Sequence, residues 1–210
     1  MRKSITHHLD IETTELTVDY FIRRENDSDD SVKGGVFMVE QLENGAGYTT
    51  FLGQTDTQNQ KDIFLKPLSK DGSIYEQIVK DEHKNSCDSS CYDCLRDYYN
   101  QKHHEILDWR LGLDLAQVAA DKNFVPAIME KNGYWYPLIQ NRLAALKKIN
   151  ADEIFIEERH ESFIITEKSE HFLLVHPFWS SEKIFTLMTQ YELDNAAPLY
   201  ISSLIRNLKV

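Results

Sequence analysis

The sequence predicts an α+β protein with a mixed β-sheet, a helical segment stapled by a cysteine cluster, and a short β-rich C-terminal extension. Three observations carry this expectation. The opening third holds runs of β-branched and aromatic residues in partial alternation, as half-buried strands do. The middle shows helical spacing of apolar residues around Cys87, Cys91 and Cys94, the only cysteines of the chain. After Asn150 short strand-like runs return. At 210 residues the chain can bury one large core or two small ones, and a hydrophobic content of 41% excludes wholesale disorder. A soft boundary near Asn150 separates an expected domain over 1–150 from an extension over 151–210, whose strands could also complete the N-terminal sheet.

Leu9 to Ile11 and Leu16 to Ile22 read as strands. The acidic stretch from Asn26 to Ser31 reads as a loop, and Gly35 to Glu40 as a compact buried strand. Glu43 to Gly47 is a turn whose glycines permit positive φ. Gly53 to Asp62 is polar enough to be a loop. Ser73 to Lys84 has helical spacing through Ile74, Ile78 and Val79, and it delivers the chain to the cysteines. Leu95 to Asn100 reads as a short helical segment, and Leu107 to Ala120 is the clearest helix, with Leu107, Leu111, Leu115 and Val118 near one stripe. Pro137 opens another helix through Leu138, Leu143 and Leu146. Glu153 to Ile156, Phe163 to Thr166 and Phe172 to Val175 read as strands, and Ser181 to Tyr191 as a helix capped by Ser180 or Ser181.

The spacing C-x3-C-x2-C-x9-H over Cys87, Cys91, Cys94 and His104 supplies four ligands of the kind Zn²⁺ takes in closed tetrahedral sites. An odd number of cysteines in one cluster fits a reducing compartment better than a disulfide framework. His104 is the first choice for the fourth ligand. If a helix runs from it, Asp108 lies four residues on, on the same face, and orients the imidazole. His103 and then His83 are the alternatives. Metal-free burial of the thiols as small hydrophobes is the competing reading.

The stretch SCYDCLRDYYNQ, then His104, then LDWRLGLDLA resembles the MrfA-type zinc-binding (MZB) family, as does VFMVEQLENGAGYTTFL upstream. That family forms the cysteine-bearing C-terminal module of certain DEAD/DEAH-like helicases and of the DrmB-type component of DISARM phage defence. Its glycine turn has a GGAG core; here Asn44 precedes Gly45, Ala46 and Gly47. The resemblance covers roughly Val36 to Ala119 and implies metal ligation by Cys87, Cys91 and Cys94. Helicase members use a fourth cysteine that this chain lacks, whereas the DISARM-like pattern has a histidine at the position of His104. It implies an accessory module in DNA processing, with a helicase-like ATPase as partner.

The chain has no G-x-x-x-x-G-K-[ST] phosphate loop, so the motor is expected on another polypeptide. Gly45 to Gly47 is read as a strand-to-helix turn in preference to a phosphate cradle. A net charge of −11 opposes nonspecific binding of nucleic acid by the chain as a whole. Arg96, Lys102 and Arg110, near Tyr92, Tyr98 and Tyr99, are the candidate nucleic-acid contacts. A hydrolytic zinc with Asp93 or Glu105 as base, or a Cys94–His104 nucleophile pair, is disfavoured, because clustered thiolates weaken the metal as a Lewis acid and favour metal over single-thiol chemistry. A nuclease centre built from Glu157, Glu158, His160, Glu161, Glu167, Lys168 and His171 is the alternative function, a pure interaction scaffold the other. Glu167 and Lys168 would face opposite sides of a strand, which argues against the nuclease. His176 to Trp179 is a core edge or a partner surface, and His7 and His8 read as exposed. No apolar run is long enough to span a membrane and no signal peptide is recognisable, so the cytoplasm is the expected compartment.

Overall fold

The computed structural model describes residues 2–24, 32–42, 44–149, 153–193 and 195–207. It divides into two compact units: Met1–Glu105 with Ala119–Asp121, and Ile106–Val118 with Lys122–Val210. The division therefore falls after Glu105, and not near Asn150, which itself lies outside the described residues.

The first unit opens with helix α1 (Arg2–Leu9). Leu9 to Ile11 is not a strand: Asp10 takes a left-handed φ of 53°, and the Ile11 N–H returns to the Thr6 carbonyl at 3.0 Å, closing the helix. Leu9 and Ile11 then pack on Ile5, Leu16, Leu52 and Ile63, the core of this unit. Strand β1 (Leu16–Arg24) pairs antiparallel with β2 (Val32–Glu40), in register from Leu16 opposite Glu40 to Arg24 opposite Val32. Among the described residues, this ribbon meets the core at its root, through Leu16 and Met38. Val36, Phe37 and Val39 are exposed, so the expected buried strand is corrected. An apolar run signals burial only when a second layer exists to cover it. The expected loop over Asn26 to Ser31 lies outside the described residues.

Helix α2 (Tyr48–Gln54) follows the glycine turn, and α3 (Thr57–Phe64) occupies the region read as a polar loop. Asp56 caps α3 by accepting from the N–H groups of Gln58 and Asn59, at 3.0 and 3.1 Å. Few apolar residues were needed, since Leu52 and Ile63 alone are buried here. The expected helix from Ser73 to Lys84 is broken at Lys80, where ψ is 147°, into α4 (Ser73–Val79) and α5 (Asp81–Ser86). A 3₁₀ segment, Tyr98–His103, capped by Asp97, closes the unit.

The second unit carries the mixed sheet. Helix α6 (Trp109–Ala120) begins two residues later than expected, and α7 (Trp135–Ile149) holds Pro137 in its first turn, where a missing N–H costs nothing. Strands β3 (Ile154–Glu158), β4 (Phe163–Glu167), β5 (Glu170–Val175) and β6 (Ala197–Tyr200) form one sheet in that order, antiparallel except for the parallel pair β5 and β6. Helix α8 (Ser181–Gln190), whose cap Ser180 accepts from Lys183 N–H at 3.1 Å, lies in the crossover, and α9 (Ile201–Asn207) follows β6. Ile139, Leu143, Phe163, Ile165, Leu173, Leu187 and Ile201 belong to its core. Neither β6 nor α9 was legible: Pro198 inside the run argues against a strand, and an edge position is where proline is tolerated. The α+β class with a mixed sheet is borne out. Among the described residues no helix is long and apolar enough to cross a membrane.

Candidate metal centre

The break between α4 and α5 creates the site. It turns the His83 ring so that Nδ1 lies 2.7 Å from the Ile78 carbonyl oxygen. A carbonyl only accepts, so Nδ1 carries the proton and Nε2 presents its lone pair. That Nε2 is 3.4 Å from Cys91 Sγ. Cys94 Sγ lies 3.8 Å from Cys87 Sγ and 3.6 Å from Cys91 Sγ. The four ligand atoms of His83, Cys87, Cys91 and Cys94 all fall within 4.8 Å of one another. A tetrahedron with metal–sulfur bonds of about 2.3 Å and a metal–nitrogen bond of about 2.0 Å has edges of about 3.8 Å (S to S) and about 3.5 Å (S to N). The three printed separations match these edges, and the whole group lies close enough to converge on one four-coordinate ion.

Without an ion, two of the three thiols are held protonated. Cys87 and Cys94 are buried. Burial and the neighbouring sulfurs push the Cys87 thiol far above its ordinary value, and burial raises Cys94 as well. Burial acts upward on Cys91 too, but hydrogen bonds from the Cys94 thiol and from the backbone N–H groups of Cys94 and Asp93 outweigh it and hold Cys91 below the usual range. Three sulfurs this close deprotonate together only if a cation offsets their charge, which a bound divalent ion does. The Cys91 N–H donates to Cys94 Sγ at 3.1 Å, and the N–H groups of Leu95 and Arg96 fold back onto the Cys91 carbonyl, so the C-x2-C loop is a closed knuckle.

Helix α1 reaches this knuckle. Lys3 Nζ donates to the carbonyl oxygens of Tyr92 (2.9 Å) and Asp93 (2.6 Å), between the last two cysteines. Arg2 pairs with Asp97. Burial pulls the Lys3 ammonium below its ordinary value, while Cys94, Asp93 and Cys91 pull it back up.

The structure thus brings together the three predicted cysteines with His83, the last of the histidine alternatives. His104 is not in the group. Its Nε2 donates to the Asp97 carbonyl (3.0 Å) and to Asn100 Oδ1 (2.8 Å), and its ring meets Tyr92 edge-on. His103 ends the 3₁₀ segment, also outside the group. Asp108 does not orient an imidazole. No helix runs from His104, because α6 starts at Trp109; Asp108 Oδ1 caps it by accepting from Arg110 N–H at 2.8 Å. Asp108 Oδ2 takes Arg110 Nη1 at 3.0 Å, and burial still raises the Asp108 pKa despite Arg110.

Among the candidate nucleic-acid contacts, Arg110 is buried, stacked over Trp109 at 4.5 Å and paired with Asp108, so it is not presented to a phosphate. Arg96 is half-buried and donates to Ser90 Oγ at 3.0 Å. Lys102 is exposed, as are Tyr92, Tyr98 and Tyr99. The glycine turn already holds an anion. Glu40 accepts from the N–H groups of Ala46, Gly47 (3.0 Å) and Thr49 (2.7 Å) and from Thr49 Oγ1 (2.8 Å), with positive φ at Gly45 and Gly47. These bonds, led by that of Thr49 N–H, hold the Glu40 carboxyl below the ordinary range.

Three of the C-terminal acidic residues are engaged elsewhere. Glu157 pairs with Arg159 (2.8 Å), Glu158 accepts from Tyr136 Oη (3.1 Å), and Glu161 pairs with Lys183. Lys168 sits in a turn at φ 57°, 3.8 Å from Glu153, and His171 Nδ1 meets Thr166 Oγ1 at 3.0 Å. Among the described residues, no second set of three or more His, Cys, Asp or Glu ligand atoms converges as the cysteine group does.

Sequence reasoning missed one buried polar hub, in the second unit. Asp114 accepts from Tyr134 Oη and Trp135 Nε1 (2.6 Å), and its Oδ2 lies 3.0 Å from His176 Nε2. His176 Nδ1 accepts from Phe178 N–H at 3.1 Å, so the proton of the neutral ring resides on Nε2, which is near the carboxylate but not aligned to hydrogen-bond it. Trp179 Nε1 donates to the Pro126 carbonyl at 2.8 Å and Trp179 belongs to the core, with His176 buried and Pro177 and Phe178 half-buried beside it. Comparison of the chain with family models, curated proteins and solved structures finds no match.

Proposed function

We propose that the chain is a non-catalytic, zinc-binding accessory module of a helicase-associated DNA-processing system, in phage defence or DNA repair. The single observation behind this reading is the His83–Cys87–Cys91–Cys94 group, with ligand separations that match a closed tetrahedral zinc site. Three thiolates and an imidazole suit Zn²⁺ above harder ions. A site closed by four protein ligands leaves no position for a reacting water, which favours a structural over a hydrolytic metal. The helicase association rests on the resemblance of Val36 to Ala119 to the MZB family, and the missing phosphate loop agrees with a motor on another chain. The test is whether a helicase-like ATPase is encoded beside this chain and whether the zinc-loaded chain associates with it. The expected result is a complex, lost when Cys91→Ser removes the metal. Cleavage of labelled DNA by the chain alone with Mg²⁺ or Mn²⁺, abolished by Glu157→Gln or Glu167→Gln, would overturn the non-catalytic reading.

A further inference from the structure

Lys3 is separated from the cysteines by more than eighty residues of sequence, yet its ammonium donates to both carbonyl oxygens between Cys91 and Cys94. The neighbouring Arg2 is fastened to Asp97 just beyond the knuckle. Nothing in the core of this unit requires a cation there, since α1 is anchored separately through Ile5 and Leu9.

A dication held by three thiolates and a neutral imidazole keeps one surplus negative charge. In a partly buried site such a charge is costly unless offset nearby. We infer that Lys3 is a positioning residue of the metal centre: it supplies the compensating charge and clamps the Tyr92–Asp93 peptides, so that Cys91 and Cys94 hold the ion more tightly and release it more slowly. Arg2 and Asp97 lock helix α1 in place for this purpose. The inference rests on the zinc reading above and extends it to a part of the chain with no ligand of its own.

Lysine and arginine both carry charge and donors, glutamine carries donors without charge, and methionine carries neither. The full chain is loaded with Zn²⁺, and its dissociation constant and release rate are measured against a chromophoric chelator. Co²⁺ spectra of the same variants report the ligand set. Lys3→Met is expected to weaken zinc about 10- to 100-fold, the range of partners that support a metal's ligands, with an unchanged Co²⁺ spectrum. Lys3→Gln falls between, and Lys3→Arg stays within a few-fold of the parent. If Lys3→Met does not fold, the ratio of Lys3→Gln to Lys3→Arg reads the charge contribution alone. Zinc affinity and release equal to the parent's in both Lys3→Gln and Lys3→Met, or in Lys3→Gln alone if Lys3→Met does not fold, would overturn the inference. A parent chain whose Co²⁺ complex lacks thiolate charge-transfer absorption would instead overturn the zinc reading itself.

Discussion

Replacing His83 by alanine is the most discriminating perturbation of this molecule, because His83 and His104 are rivals for one role. Structural zinc contributes about 10–16 kcal/mol of apparent binding free energy in small zinc domains. Shared over four ligands, one imidazole accounts for roughly 3–4 kcal/mol, or about 100- to 1,000-fold in affinity at 1.4 kcal/mol per decade. His83→Ala is therefore expected to weaken zinc by that factor. His83→Cys, which makes a four-thiolate site, is expected to restore it and shift the Co²⁺ absorption. His104→Ala removes one Nε2–H shared between the Asp97 carbonyl and Asn100 Oδ1, contributing about 1 kcal/mol. It should lower the melting temperature and leave zinc affinity within about threefold of the parent. Competition with a chromophoric chelator measures all three. Unchanged affinity in His83→Ala together with a large loss in His104→Ala would refute the assignment.

Acid and alkali should act in opposite senses on the loaded and stripped forms. In the metal-free, reduced chain the folded pKa values of Cys87 and Cys94 are raised, so the stability they contribute is present below the unfolded thiol value of about 8.5 and is lost as pH rises through the folded values, with the lowered Cys91 opposing. With zinc the thiolates are held ionised, and stability falls as pH drops and protons displace the metal; melting curves from acid to alkaline pH check both signs. Asp108→Ala removes the α6 cap and one partner of the buried Arg110 and should cost about 1–3 kcal/mol in urea denaturation. Asp114→Ala leaves Trp135 Nε1–H without its acceptor and removes the bond from Tyr134 Oη, and a loss of about 2–3 kcal/mol is expected in the same assay.

The cysteine members of the candidate site were legible because chemistry and proximity coincide: three thiols within eight residues leave few uses other than a metal. The fourth ligand was not. His83 precedes the cysteines at a suitable spacing, but it enters the group only because the chain breaks at Lys80, within a run whose periodicity reads as one helix. His104 drew attention through an expected helix carrying Asp108, and that helix does not exist. A cap looks the same in sequence as a partner for an imidazole, because both use a carboxylate near a helix start.

Local sequence determined what periodicity and side-chain chemistry can encode: the helices over Trp109–Ala120 and Trp135–Ile149, the strands β3, β4 and β5, and the three thiols of the candidate site. Tertiary structure alone decided what depends on distant segments meeting. It set Lys3 over the knuckle, filled the glycine turn with Glu40, buried Arg110 against Trp109, and gathered Asp114 with His176. It also left the apolar ribbon of β1 and β2 uncovered. The physical reason is common to all of these. Backbone periodicity is a property of neighbours in the chain, whereas charge compensation and burial depend on which remote residue occupies the adjoining space.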